Sequence, residues 1–110
     1  MRVRSLIPIL LLAVVAACSD SSGPEDATIT IQDDSFNPST STVSEGSTVT
    51  WNWTGANAHN VTWVTGSPAA SATQSAGTYQ RTFTTAGTYE YYCTIHGTPT
   101  AGMRGTITVQ

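Results

Sequence analysis

From Ala27 onward, apolar and polar residues alternate in short runs. Thr28-Ile29-Thr30-Ile31 alternates, and Val49-Thr50-Trp51-Asn52-Trp53 puts Val49, Trp51 and Trp53 on one face. Tyr79 to Phe83 alternates as well. Tyr89, Tyr91 and Cys93 share a face, with Glu90 and Tyr92 on the other. Val61 to Val64 is a shorter candidate strand, and Thr106-Ile107-Thr108-Val109 is the last. A period of two marks half-buried strands, because successive side chains of an extended chain point to opposite faces. No stretch shows helical spacing of apolar residues. Turn residues separate the runs at Asn37-Pro38, Glu45-Gly46, Thr54-Gly55, Gly66-Ser67-Pro68, Ala86-Gly87 and Gly97 to Gly102. Many short, closely spaced strands predict an all-β sandwich or barrel. Phe36, Trp51, Phe83 and Tyr91 are the expected large core members, and Trp53 and Trp63 are expected in the core or on a sheet face. Thr65 to Thr78 is small and polar and reads as a long surface loop. Glu45 and Glu90 are expected to be solvated.

The start of the chain departs from this pattern. Met1-Arg2-Val3-Arg4 is basic, and Leu6 to Ala17 is apolar apart from Pro8. A charged start, a short apolar run and small residues before a cut are the layout of a secretory signal. The run falls short of the roughly 20 apolar residues that a spanning helix needs. Val15-Ala16-Ala17-Cys18 resembles the lipobox of bacterial lipoproteins, which implies lipidation of Cys18 and cleavage before it. Ser19 to Asp26 is polar and small and reads as a flexible tether. The expected organisation is a signal peptide at 1–17, a lipidated tether at 18–26 and one domain at 27–110. The protein would be exported to the cell envelope and held on a membrane by its lipid alone.

Without residues 1–17, Arg81 and Arg104 stand against seven acids, a formal charge of −5, and there is no lysine. Nucleic-acid binding is excluded on that balance, since phosphate contacts need clustered Lys and Arg. A weak preference for basic partners follows from the same charge. With Cys18 lipidated, Cys93 has no disulfide partner, and metal ligation is one reason for an exported domain to keep a lone thiol.

The soft or borderline metal donors downstream of Cys18 are four: His59, Cys93, His96 and Met103. Three fall within eleven residues, Cys93-Thr94-Ile95-His96-Gly97-Thr98-Pro99-Thr100-Ala101-Gly102-Met103, between a strand ending at Cys93 and one starting near Gly105. His59 lies upstream in Ala58-His59-Asn60-Val61. Two imidazoles and a thiolate in a plane with a weak axial thioether make the electron-transfer copper site. Zinc accepts a His/His/Cys set too, but no carboxylate lies near the motif in sequence, and a thioether favours copper. A two-copper centre would need a second cysteine in the loop. No coordination position is left for a substrate, which argues against an enzyme. Asn52-Trp53-Thr54 and Asn60-Val61-Thr62 match the glycosylation pattern and are read as coincidences in a bacterial chain.

Tyr91-Tyr92-Cys93-Thr94-Ile95-His96 and Gly102-Met103-Arg104-Gly105-Thr106-Ile107-Thr108-Val109 resemble the copper-binding segment of plastocyanins and related cupredoxins. Phe36-Asn37-Pro38, Gly46, Val49, Trp51 and His59-Asn60-Val61 extend the likeness over about Ala27 to Val109. The resemblance implies a Greek-key sandwich with one copper ion at one end. His59, Cys93 and His96 would be its strong ligands, Met103 its axial ligand, and Asn60 would hydrogen-bond toward Thr94. It implies a monomeric one-electron carrier whose partners, such as cytochromes or membrane oxidoreductases, dock at an uncharged edge around His96. Tyr92 takes the place of a surface aromatic beside the cysteine. A copper-binding protein for storage, delivery or resistance is the alternative. The six residues between His96 and Met103 exceed the plastocyanin spacing. If Met103 falls short, the axial position is vacant or taken by a backbone oxygen.

Overall fold

The computed structural model describes residues 26–110, so the signal, Cys18 and nearly all of the tether lie outside the described residues. Eight strands form: β1 (Ala27–Gln32), β2 (Ser35–Asn37), β3 (Thr40–Val43), β4 (Ser47–Trp53), β5 (Thr62–Trp63), β6 (Gly77–Phe83), β7 (Gly87–Thr98) and β8 (Ala101–Val109). They make two four-stranded sheets, ordered β2-β1-β4-β6 and β3-β8-β7-β5. Both sheets are mixed, with β1 parallel to β4 and β3 parallel to β8. Every connection except β1–β2 and β7–β8 passes from one sheet to the other, which is how a Greek-key sandwich is wound.

The alternation in the sequence becomes the two faces of each strand. In β4, Val49, Trp51 and Trp53 are buried while Asn52 between the tryptophans is exposed. In β8, Met103, Gly105, Ile107 and Val109 point inward. Trp51 of the first sheet packs edge-on to Trp63 and Tyr91 of the second, with ring centroids 5.6 and 5.4 Å apart. Phe36 meets Tyr91 at 4.7 Å and Phe83 meets Tyr89 at 4.9 Å. Such pairs each add roughly 0.5–1.5 kcal/mol beyond the area they bury. The four expected core aromatics are all in this cluster, and Trp53 and Trp63 join them.

Several expectations are corrected. β2 and β3 do not stand out in the sequence because they are short and polar. The candidate strand Val61–Val64 shrinks to Thr62–Trp63. The Thr65–Thr78 loop ends at Gly77, where β6 begins, and its inner side is not free. Ser71 N donates to Val61 O at 3.0 Å, and Gln74 exchanges two backbone bonds with His59, at 3.0 and 3.1 Å. Glu45 and Glu90 are exposed, yet Glu45 accepts from the Ala86 amide at 3.1 Å and Glu90 pairs with Arg104 at 3.0 Å.

The strand expected to end at Cys93 runs on to Thr98, and its partner starts at Ala101 instead of near Gly105. The stretch read as a loop is therefore a hairpin arm, with Gly97 opposite Gly102, Thr98 opposite Ala101, and Pro99-Thr100 at its tip. Gly102 adopts φ 85°, and a Cβ there would lie 2.6 Å from His96 O. Only glycine lets the arm close this tightly.

Candidate metal centre

The register of β7 against β8 is regular from Gly87 to Tyr92, where Tyr92 faces Arg104, and resumes at Gly97 facing Gly102. Between those points four residues, Cys93 to His96, oppose the single residue Met103. A bulge of this kind bends the strand and re-aims its side chains. Here it turns both Cys93 and His96 toward one point and sets buried Met103 across from them. With the longer loop, Met103 is buried opposite the bulge. Six is an even number, so the residues divide equally between the two sides of the arm, and the faces of His96 and Met103 are preserved.

His59 comes from the strand edge before β5. Its backbone is fixed by Gln74, and its carbonyl also accepts from the Trp53 indole N–H at 3.1 Å. His59 and Cys93 are wholly buried, while the His96 side chain is 29 % exposed. The Nδ1 atoms of the two rings approach to 3.1 Å, and Cys93 Sγ lies 3.9 Å from His59 Nδ1 and 3.8 Å from that of His96. An ion bound trigonally at about 2.0 Å from nitrogen and about 2.3 Å from sulfur would space its ligands by about 3.5–3.8 Å. The triangle thus fits a first-row metal within a few tenths of an ångström.

Asn60, nearly fully buried, ties this end of the sandwich together. Its side-chain oxygen accepts from Thr94 N at 3.0 Å and from Thr62 Oγ1 at 2.9 Å, and its amide N–H donates to Thr94 and Thr73 at 2.8 and 3.0 Å. The tie to Thr94 expected from the resemblance is present, and the tie to the 64–76 loop is new. Asn60→Ala removes all four bonds. Net values near 1 kcal/mol per bond, partly replaced by water, give a loss of about 2 kcal/mol, measurable as a lowered midpoint in denaturant titration of the metal-free protein.

Two residues at this end were missed in the sequence. Asp33 and Asp34 form the two-residue turn between β1 and β2, with Asp34 at φ 66°, a conformation Asp tolerates better than most residues. Asp33 Oδ1 lies 3.3 Å from His59 Nε2, and Asp34 Oδ1 lies 3.3 Å from His96 Nε2. The amides of Asn57 and Ala56 donate to the Asp33 carboxylate at 2.8 and 3.1 Å. Those two bonds, foremost the one from Asn57, and the His59 contact hold its carboxyl below the usual carboxylate range. A carboxylate only accepts, so the bond to Asp33 calls for the His59 proton on Nε2 and leaves its Nδ1 lone pair facing inward. The two Nδ1 atoms, 3.1 Å apart, are close enough to serve one ion. The signal for these carboxylates was an Asp-Asp pair after an alternating run, which reads as a turn and carries no hint of what it faces.

An all-β sandwich with two imidazole nitrogens and a cysteine sulfur converging at one end defines a mononuclear copper protein of the cupredoxin class. The comparisons agree. The family described as copper binding proteins, plastocyanin/azurin family, matches residues 25–110. A plastocyanin from Scenedesmus fuscus is 36 % identical over 100 residues, 77 % of this chain and 100 % of that protein. Among solved structures, a purple cupredoxin from Nitrosopumilus maritimus is 26 % identical with a TM-score of 0.65, covering 76 % of this chain and 99 % of its own. A reduced tryptophan-to-tyrosine mutant of amicyanin is 32 % identical with a TM-score of 0.62, covering 76 % and 80 %. The chain belongs to the plastocyanin/azurin family of copper binding proteins, and its cofactor is one copper ion.

Proposed function

We propose that this protein is a blue copper one-electron carrier of the cell envelope, with His59, Cys93 and His96 as in-plane ligands and Met103 as the weak axial ligand. The observation that carries the reading is the triangle of two Nδ1 atoms and one cysteine sulfur, two of the three residues wholly buried, built on the β7 bulge. Copper held there supplies one-electron chemistry between Cu(I) and Cu(II). The chain's own contribution is to keep the donors fixed, so that little moves with the electron. His59 is pinned by Gln74 and Trp53, Cys93 lies next to the Asn60–Thr94 tie, and Met103 lies opposite the bulge that carries Cys93 and His96. The donor set leaves no place for a substrate, which favours a carrier over an enzyme.

The electron's way in or out is the partly exposed edge of His96. Ile95 beside it is 51 % exposed, and the arm from Gly97 to Gly102 carries no charge. Such an apolar, uncharged rim suits brief docking of a redox protein, for instance a cytochrome or a membrane oxidoreductase. Tyr92 is half-buried between Thr62 and Arg104 and offers a second route beside the cysteine. The apolar run ending at Ala17-Cys18 supports export and a lipid anchor on Cys18. Among the described residues, no helix is long and apolar enough to cross a membrane.

The test is to add Cu(II) to the metal-free domain and record visible and EPR spectra and a voltammogram. An intense blue form with fast reversible cycling is expected. A colourless product with ordinary tetragonal copper would overturn the reading, and copper that transfers readily to a chelator but cycles irreversibly would favour storage or delivery. In the same assay Met103→Leu should stay blue and move to a more positive potential, because losing a weak donor costs Cu(II) more than Cu(I).

A further inference from the structure

The outer nitrogens of both imidazoles meet carboxylates from one turn, and nothing in the ligand chemistry requires this. Asp33 reaches His59 across the turn at residues 54–57. The space it uses exists because residue 55 is glycine: a Cβ there would stand 2.3 Å from Asp33 Oδ1 and 2.8 Å from Asp33 N. Two backbone amides then lock the carboxylate in place. Asp34, the next residue, turns the other way and meets His96. A two-residue turn thus sends one carboxylate to each imidazole.

We propose that Asp33 and Asp34 are positioning residues of the copper centre: Asp33 accepts the Nε2–H of His59 and so presents its Nδ1 to the metal, Asp34 stands against Nε2 of His96 as a charge contact, and as two fixed negative charges they hold the reduction potential down. The inference rests on the ligand assignment proposed above. Carboxylates behind metal-bound imidazoles orient the rings and raise their basicity. Negative charge near the ion favours Cu(II) over Cu(I), so it lowers the potential.

The two acids differ in surroundings, and this separates their effects. The Asp33 side chain is 40 % exposed and faces a wholly buried ring, while Asp34 is 65 % exposed and faces the exposed edge of His96. Charge–charge interaction is stronger where water is excluded, and salt screens it less there. Asp33 therefore has the larger, less salt-sensitive effect, and Asp34 the smaller, more salt-sensitive one.

The experiment compares copper-loaded wild type, Asp33→Asn, Asp34→Asn and Asp34→Glu by voltammetry at low and high ionic strength. Both asparagine variants should remain blue and shift to more positive potential, Asp33→Asn further, and Asp34→Glu should return toward wild type. Nitrogen correlation spectra of the Cu(I) protein should show a slowly exchanging Nε2–H on His59 that exchanges faster in Asp33→Asn. Asp34 is exposed, so its variants report even if Asp33→Asn disturbs the turn. Blue variants with wild-type potentials would overturn the proposal and leave the copper assignment standing. A wild type that takes up no blue copper would instead overturn the assignment beneath it, so the two failures are told apart.

Discussion

Cys93→Ser should give a folded protein with no intense blue colour. The colour of such a site comes from charge moving from thiolate sulfur to Cu(II). A serine hydroxyl does not ionise at neutral pH, and its oxygen is a harder donor. Cys93 is buried and unpaired, one bulge residue from Thr94 and within 3.9 Å of both histidine nitrogens. The substitution is nearly isosteric, and the new hydroxyl can bond to an imidazole nitrogen, so the metal-free fold should lose no more than about 1–2 kcal/mol. Visible and EPR spectra of the Cu(II)-loaded variant check the first part and denaturant titration the second. A serine variant that stays blue would rule out Cys93 as the sulfur ligand.

Gly105→Ala should be among the most damaging single-methyl additions in the chain. Gly105 faces Tyr91 in the β7–β8 register, and the tyrosine ring lies over its Cα. An added Cβ would stand 2.3 Å from the Tyr91 Cζ and hydroxyl oxygen. The ring has nowhere to go. Tyr91 is fully buried and wedged against Phe36, Trp51 and Trp63, with centroids 4.7, 5.4 and 5.2 Å away. Forcing a methyl into a filled core costs typically 1–3 kcal/mol and sometimes more, and a rigid aromatic cluster belongs at the top of that range. We expect a loss of about 3 kcal/mol, seen as a lower denaturation midpoint, together with weaker copper binding, because Tyr91 lies two residues before Cys93 on the same strand. A variant within about 1 kcal/mol of wild type would mean the cluster relaxes more easily than its packing indicates.

Much of this architecture can be read from the residues, and the parts that cannot have a shared cause. Val49, Trp51 and Trp53 betray a buried face because an extended strand repeats every two residues. The spacing of Cys93, His96 and Met103 betrays a metal site because few other uses need those three side chains so close. The sheet-edge strands Ser35–Asn37 and Thr40–Val43 are too short and polar to stand out. Gly97 to Gly102 looks like loop because its small residues fit a turn as well as a tight hairpin. Pairing across the arm, which the local composition does not reveal, decides between them. Asp33 and Asp34 illustrate the limit most clearly. They precede His59 and His96 by 26 and 62 positions, and only the turn after β1 brings them to the imidazoles. A contact made by topology leaves no periodicity to find.

The pairing of β3 with β8 also links the metal site to a long-range strand pairing. β3 lies at a sheet edge, and among the described residues its one sheet neighbour is β8, with Thr40 opposite Thr106 and Val43 opposite Val109. The same last strand carries Met103 and closes the hairpin that aims Cys93 and His96. Residues 40–43 therefore stay unpaired until residues 106–109 reach them, and long-range pairings of this kind fold slowly. Nascent or truncated chains have an open strand edge, a target for proteases and aggregation, and no metal cavity. The metal site therefore depends on the same strand that closes the sheet edge, so loss of β8 would open that edge and dismantle the site together.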